Sequence, residues 1–229
     1  MKYSDFEAAI SPERMARYLL ACNGDSRKAM TLYRYNLRVS QEMFTIVSCF
    51  EVSLRNKIDY HLKPNFGNDW LRDSVIHNGI FTLPILQKTR DIIYYAFRKL
   101  DRVNIYSHSK LIAEMEFGIW KYMFSPVQYR QTGRDLLRIF PFKPRSSAQF
   151  QYNQTFIFNE LDKINSLRNR IAHHEPICFP TGFAVKDTSY IRNAYADILS
   201  LFSWMGIDGK SLLYGLDHVI EICDKIDGL

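Results

Sequence analysis

Apolar side chains recur at steps of three and four residues along most of the chain, and this spacing restricts the fold more than any other feature. In the segment from Leu37 to Leu62 the recurring positions are Met43, Val47, Phe50, Leu54 and Ile58. Steps of this size bring side chains to one face of an α-helix. The segment is therefore predicted to be one long helix with a buried stripe, closed by Pro64 and Gly67.

Helix signals of the same kind extend over most of the remaining chain. Ser11 is a candidate N-cap with Pro12 at the first helical position, and Asp25 is a candidate N-cap for the next helix. Further helices are predicted in LPILQKTRDIIYYAFRKL, HSKLIAEMEFGIWKYMF, GRDLLRIFPF, TFIFNELDKINSLRNRIAHH, SYIRNAYADILSLFSWM and GKSLLYGLDHVIEICDKI, whereas NFGNDWLRDS is predicted to be a loop. The seam of the helix that begins TFIF is Phe158, Leu161, Ile164 and Leu167, and that of the last helix is Leu212, Leu216, Val219, Cys223 and Ile226.

No run of alternating apolar and polar residues competes with these helices, and no repeat, low-complexity segment or linker interrupts them. A chain of 229 residues with 47% apolar residues is long enough to bury a sizeable core. The prediction is an all-α fold, a helical bundle that forms a single domain over residues 1–229.

Charge, cysteines and hydropathy narrow the functional class. A formal net charge of +6 favours a polyanionic partner such as nucleic acid without establishing one, because the basic residues are scattered along the chain. The four cysteines lack paired or zinc-type spacing, which is typical of reduced thiols in a cytosol. The N-terminal segment carries acids and AYADILSLFSWMGI is interrupted by Asp197, so neither a signal peptide nor a membrane span is predicted. A soluble, cytoplasmic protein is expected.

Most of the histidines give no sign of a metal site. His77, His108 and His218 are isolated, with no second ligand one helical turn away, and His61 is interpreted as incidental. No phosphate-binding glycine loop or nucleophile motif occurs. Neither a metal nor another cofactor is predicted.

Residues 166–177, SLRNRIAHHEPI, carry the densest group of cationic and titratable side chains. Arg168 is followed after four residues by His173, with His174 adjacent. Spacing alone is weak, because Arg55/His61, Arg72/His77 and Arg102/His108 also fit an R-x(4–6)-H pattern. Of these arginines only Arg168 precedes a pair of histidines, and it is also followed directly by Asn169.

These residue types suit cleavage of RNA without a metal. The 2′-hydroxyl is the nucleophile, and the site must supply a proton acceptor, a proton donor and a fixed cation for the phosphate. Histidine transfers protons near neutral pH, arginine binds phosphate oxygens, and Asn169 could orient either group. The alternative is a plain helix C-terminus, where the dipole favours Arg and protonated His. Pro176 ends the helix, and Arg168 and His173 lie about 140° apart on an ideal helix.

Four blocks together resemble the Abi-like (abortive infection) family of the HEPN superfamily. They are FEVSLRNKIDYHL at 50–62, GNDWL at 67–71, AEMEFGIWKYMF at 113–124 and SLRNRIAHHEPI at 166–177. Their order and spacing resemble those of the family roughly from Met30 to the C-terminus. The first block places Glu51, Arg55 and Asn56 at the polar positions of the family's first helix.

The resemblance implies a HEPN-like α-helical fold and an R-x4-H endoribonuclease built on Arg168, Asn169 and His173. Arg168 would hold and neutralise the scissile phosphate, and His173 would transfer a proton or hold the 2′-hydroxyl. HEPN proteins pair two such motifs across a homodimer, which would resolve the separation of Arg168 and His173. His174 occupies a family position with an open role.

Other residues receive supporting roles from the resemblance. Glu51, Arg55 and Asn56 would position the groups of the site, and Arg170 would contact RNA. Glu175 departs from the small or polar residue of many relatives. An acid there either shifts a histidine towards its charged form or repels RNA.

The function expected from the resemblance is metal-independent RNA cleavage in phage defence, or as the toxin of a toxin–antitoxin pair. The expected partners are an RNA substrate, a second copy of the chain and a protein or RNA antitoxin. One alternative is a non-catalytic RNA-binding module that holds a structured regulatory RNA through Arg168 and Arg170. Another is a helical scaffold without RNA activity.

Overall fold

The computed structural model describes residues 1–229 and contains twelve α-helices, two 3₁₀ turns and no β-strand. The all-α prediction is confirmed. In chain order the helices are α1 (Tyr3–Ile10), α2 (Pro12–Ala21), α3 (Ser26–Phe66), α4 (Trp70–Asp73), α5 (Gln87–Arg102), α6 (His108–Glu114), α7 (Phe117–Tyr122), α8 (Pro126–Gln131), α9 (Gln154–Ala172), α10 (Ser189–Trp204), α11 (Gly209–Leu212) and α12 (Val219–Asp227). The 3₁₀ turns are Pro84–Leu86 and Leu136–Ile139.

The chain divides into two compact units, each assembled from segments that are distant in sequence. Unit 1 contains Met1–Ser48, Ser166–Ser200 and Asp208–Leu229. Unit 2 contains Cys49–Asn165 and Leu201–Ile207. Neither unit is continuous in sequence, and the single domain over residues 1–229 stays a prediction.

Both N-caps inferred from the sequence are present. The Ser11 side chain accepts a hydrogen bond from the Arg14 main-chain N–H at 3.3 Å, and Asp25 accepts one from the Lys28 N–H at 3.0 Å. The predicted start of the long helix at Leu37 is wrong, because α3 begins directly after Asp25. No glycine or proline interrupts residues 26–37, so the cap initiates one continuous helix.

The long helix ends close to where the sequence places its end. Pro64 lies in the last turn of α3, and Gly67 follows with a φ of +89°. The predicted stripe is confirmed, since Met43, Val47, Phe50, Leu54 and Ile58 are all at most 1% exposed. On α9 the buried seam begins at Ile157 instead of the half-buried Phe158, and then continues as predicted through Leu161, Ile164 and Leu167.

Three further local predictions are wrong. NFGNDWLRDS contains the short helix α4, and the segment predicted as one helix from residue 108 is divided into α6 and α7 by extended backbone at Met115 and Glu116. The buried side chains between Leu111 and Phe124 would occupy every side of a straight helix, not one stripe, so the amphipathic pattern of a single helix is absent here. The last predicted helix is interrupted near Gly215, whose φ is +75°, and Leu212 and Leu216 are therefore exposed.

A half-buried carboxylate connects three helices of unit 2. Asp59 on α3 accepts hydrogen bonds from Trp70 Nε1 at 2.8 Å, His108 Nε2 at 2.7 Å and Lys63 Nζ at 2.5 Å. Burial by itself raises the pKa of Asp59, but the hydrogen bonds from Lys63, His108 and Trp70 outweigh it and bring the pKa below the ordinary value of 3.8. His108 has no potential metal ligand one helical turn away in the sequence, and its carboxylate partner comes from a segment 49 residues earlier.

Two other histidines also have carboxylate partners. His61 Nε2 lies 3.0 Å from Asp135 Oδ1, and His218 Nδ1 lies 3.4 Å from Glu42 Oε1. Both partners are far away in sequence, which explains why spacing did not reveal them. No group of three or more His, Cys, Asp or Glu side chains is placed to hold a metal ion. None of the helices combines the length and apolar character that crossing a membrane requires.

Candidate active site

Helix α9 carries the RNRIAHH motif to its C-terminal end in unit 1. Its hydrogen bonding stays regular up to His173, whose main-chain N–H donates to the Asn169 carbonyl at 2.9 Å. Asn169 and His173 are exposed and lie one turn apart on the same face. Arg168 is half-buried and lies about 140° around the helix from His173. A single copy therefore presents the guanidinium and the imidazole on different faces of α9.

The helix ends in a tight turn at the second histidine. His174 has a φ of +56°, and its N–H donates to the Ile171 carbonyl at 3.0 Å. The Glu175 N–H donates to the Arg170 carbonyl at 2.8 Å. This pair of bonds is the Schellman arrangement, in which glycine usually occupies the left-handed position. Pro176 correctly predicted a helix end here, and the structure adds that a histidine occupies the turn.

Arginines from two helices hold the segment that follows the histidines. Arg14 Nη1 on α2 donates to the His174 carbonyl at 2.9 Å, and Arg17 Nε donates to the Phe183 carbonyl at 2.8 Å. Arg170 Nη2 donates to the Pro176 carbonyl at 2.7 Å. Charge-assisted bonds of this kind are stronger than neutral ones, so the backbone after α9 is fixed at several points.

A buried amide on α3 completes this attachment. Asn36 is 4% exposed, and its Oδ1 accepts hydrogen bonds from the Ile177 N–H at 2.9 Å and the Cys178 N–H at 3.2 Å. The bonds satisfy main-chain donors that would otherwise be buried without a partner. Asn36 and the α2 arginines were missed at the sequence level, because a gap of more than 140 residues separates them from their acceptors and donors.

The side chains predicted to act on RNA make no bonds within the chain. Arg168, Asn169, His173 and His174 have neither a hydrogen bond nor an ion pair through their side chains, and all but Arg168 are exposed. The backbone that carries them is fixed by the contacts described above. The combination of a fixed backbone and uncommitted polar side chains suits a site that binds an external ligand.

Arg170 makes its side-chain contacts within the chain. Its guanidinium lies 4.9 Å over the Tyr190 ring, and its side chain is 16% exposed. Its Nε lies 3.5 Å from Glu175 Oε2, so the acid next to the histidines faces a cation of its own chain. The contact of Arg170 with RNA stays a prediction, and the structure gives this residue a role in holding the loop.

The predicted supporting residues lie in unit 2, on the second half of α3. Glu51 and Arg55 are half-buried, and Asn56 is exposed. The Arg55 Nε is buried without a hydrogen-bond partner, which is unusual for a group of this polarity. Their role in positioning Arg168 and His173 stays a prediction.

The left-handed turn leads to a stability prediction for His174. We expect His174→Gly to have a free energy of unfolding about 1 kcal/mol higher than His174→Ala, because only glycine adopts a positive φ without a steric cost. Urea denaturation of both variants and the wild-type protein measures the difference. Equal stability of the two variants would contradict the strained turn. Equal loss of RNA cleavage in both would assign a role to the imidazole itself.

The structure is that of an all-α protein in which an Arg-x4-His motif lies at the fixed end of a helix, with side chains that form no hydrogen bond or ion pair within the chain. A comparison with protein-family models matched the family described as Abi-like protein over residues 13–178. This match covers more than half of the chain, and the chain belongs to the Abi-like family.

The matched range refines the extent of the resemblance. It begins in α2, before the predicted start near Met30, and it ends at Cys178 instead of the C-terminus. It includes Arg14 as well as every predicted site residue. Searches of curated proteins and of solved structures found no match.

Proposed function

We propose that this Abi-like protein is a metal-independent endoribonuclease of the HEPN type. It would act in phage defence by abortive infection, or as the toxin of a toxin–antitoxin pair. One observation carries the proposal: the side chains of Arg168, Asn169 and His173 form no hydrogen bond or ion pair within the chain. The end of their helix is nevertheless fixed by hydrogen bonds from α2 and α3. Its site of action would be the cytoplasm.

The proposed reaction is an internal transesterification. An imidazole, assigned to His173, accepts the proton of the 2′-hydroxyl, and the 2′-oxygen bonds to the neighbouring phosphorus. The bond from phosphorus to the 5′-oxygen breaks, and a second imidazole donates a proton to this leaving oxygen. Arg168 neutralises the charge that develops on the phosphate. The products are a 2′,3′-cyclic phosphate and a 5′-hydroxyl end.

A homodimer is part of the proposal, because Arg168 and His173 lie on different faces of one regular helix. Two copies related by a two-fold axis would bring the Arg168 of one subunit near the His173 of the other and supply two imidazoles to one phosphate. A protein or RNA antitoxin would be the partner that holds the enzyme inactive.

The test is incubation of the purified protein with end-labelled single-stranded RNA in the presence of EDTA. We expect new ends that carry a cyclic phosphate, at an unchanged rate with and without the chelator. Loss of cleavage in EDTA would contradict the metal-independent mechanism. Protection of RNA without new ends, with binding that weakens steeply as salt rises, would instead identify a non-catalytic RNA-binding module.

A further inference from the structure

A groove of about 340 Å³ lies directly beside the motif in unit 1. Leu37 and Phe44 on the first half of α3 form one wall, and Ile171 and Ala172 on α9 form the other. His174 and Glu175 also line the groove. The volume falls within the range of about 300–1,000 Å³ that is typical of small-ligand sites.

The α3 wall exposes apolar side chains to solvent. Leu37 is 48% exposed and Phe44 is 42% exposed. Gln41 lies between them on the same helix face, because these positions are separated by steps of four and three residues. A planar ring placed against Phe44 would be covered on one side by the Phe44 ring and at its edge by Leu37.

Polar groups that read the edge of a planar ring are present in the same groove. The Ser40 hydroxyl and the Gln41 amide line it, and neither side chain has a hydrogen-bond partner in the chain. The groove therefore combines an aromatic face with uncommitted donors and acceptors. Recognition of single-stranded RNA uses the same combination, because unstacked bases lie on aromatic rings and form hydrogen bonds along their edges.

The charges around the groove favour a polyanion. Arg168 lies one helical turn before Ile171 and Ala172 on α9, and its guanidinium has no ion-pair partner. Arg38 is exposed next to Leu37. Glu175 is the acid in the lining, and it faces Arg170 at 3.5 Å. A phosphate at Arg168 would place the adjoining nucleoside within reach of the groove.

We propose that this groove binds a base of the RNA strand next to the phosphate held by Arg168. The proposal rests on the proposed ribonuclease function and adds to it the residues that recognise the substrate. Phe44 stacks on the base, and Ser40 and Gln41 contact its edge. A base preference of the enzyme would originate in these two polar side chains.

The test compares two short 2′-O-methyl oligonucleotides, which lack the attacking hydroxyl and resist cleavage. One carries bases of mixed sequence, and the other has the same backbone with the internal bases removed. We expect Phe44→Ala to weaken binding of the first by about 5- to 150-fold, which corresponds to the stacking of one base. Binding of the abasic strand should not change. Fluorescence anisotropy of the 229-residue chain measures both affinities.

Two variants serve as controls for this comparison. Phe44→Trp retains an aromatic face and should retain the preference for the base-bearing strand. Phe183→Ala removes an equally large ring that is 64% exposed in the same unit and should affect neither strand. Thermal unfolding of all variants verifies that they are folded.

Three results would overturn the base site. The first is equal affinity of the wild-type protein for both strands, and the second is an equal loss of affinity for both strands in Phe44→Ala. The third is a lower mass of the Phe44→Ala protein in solution than of the wild-type protein, which would identify the groove as a contact between copies of the chain. Cleavage of ordinary RNA is measured in parallel. If the protein cleaves RNA but binds both strands equally, only the proposed base site is contradicted. If it prefers the base-bearing strand but does not cleave RNA, only the proposed ribonuclease function is contradicted.

Discussion

His173→Ala is expected to lower the rate of RNA cleavage by about 10²–10⁴-fold, the usual contribution of a positioned acid or base. The side chain is exposed and forms no hydrogen bond or ion pair within the chain, so its removal should leave the free energy of unfolding within about 0.5 kcal/mol of the wild-type value. Cleavage of labelled RNA and urea denaturation, measured on the same preparation, separate the two effects.

A matched control for this variant exists in the same chain. His77 is an exposed histidine in unit 2 without a side-chain partner, and His77→Asn is compatible with its φ of +49°. This substitution should leave cleavage unchanged. Arg168→Ala should reduce cleavage as strongly as His173→Ala, and Arg168→Lys should restore only part of it, because lysine lacks the planar fork.

Expression in cells gives an independent measurement of the same prediction. Induction of the wild-type protein should stop growth and degrade cellular RNA, whereas induction of His173→Ala to the same level should do neither. Full cleavage by His173→Ala in vitro, or equal toxicity of the two proteins, would contradict the assignment of His173.

Asp59→Ala is expected to lower the free energy of unfolding by about 3 kcal/mol. The substitution leaves the Trp70 Nε1–H and the His108 Nε2–H without their acceptor in a site where Asp59 and His108 are 17% and 12% exposed. Lys63 also loses its ion-pair partner. Chemical denaturation at neutral pH measures the loss.

The contribution of Asp59 to the free energy of unfolding should decrease at low pH. Its pKa in the folded protein lies below the ordinary value of 3.8, so the folded state favours the ionised carboxylate. The stabilisation is therefore present above pH 3.8 and is lost as the pH falls through the folded-state pKa. The stability difference between the wild-type protein and Asp59→Ala should accordingly become smaller below this pH.

Asp101→Ala is the matched control, since it removes a carboxylate of the same unit whose partner is Arg98. The two side chains are 48% and 54% exposed, and an exposed pair of this kind contributes about 0–1 kcal/mol. A loss in Asp59→Ala no larger than that in Asp101→Ala would contradict a structural role for the Asp59 network.

Much of the helical framework follows from the sequence, because helix formation depends on neighbours within one turn. The stripe from Met43 to Ile58, the Ser11 and Asp25 caps and the end of α9 before Pro176 are all local signals, and all are confirmed. The four blocks of family resemblance are likewise short segments. All four blocks lie within residues 13–178, the range that matches the Abi-like family.

The sequence-based predictions fail where contacts between distant segments override a local pattern. Residues 108–124 have a helical composition, but the backbone is extended at Met115 and Glu116, and both short helices on either side of this break bury apolar side chains. The partners of His61, His108 and His218 are carboxylates on distant segments, so sequence spacing around each histidine carried no information about them.

The sequence by itself determined most of the helices, the family and the residue types of the candidate site. Only the tertiary structure decided how the site is held, because Arg14 and Asn36 reach the segment after the histidines across a gap of at least 141 residues. The physical reason is that helical hydrogen bonds join near neighbours, whereas the hydrogen bonds that fix this segment join parts of the chain that meet only after folding.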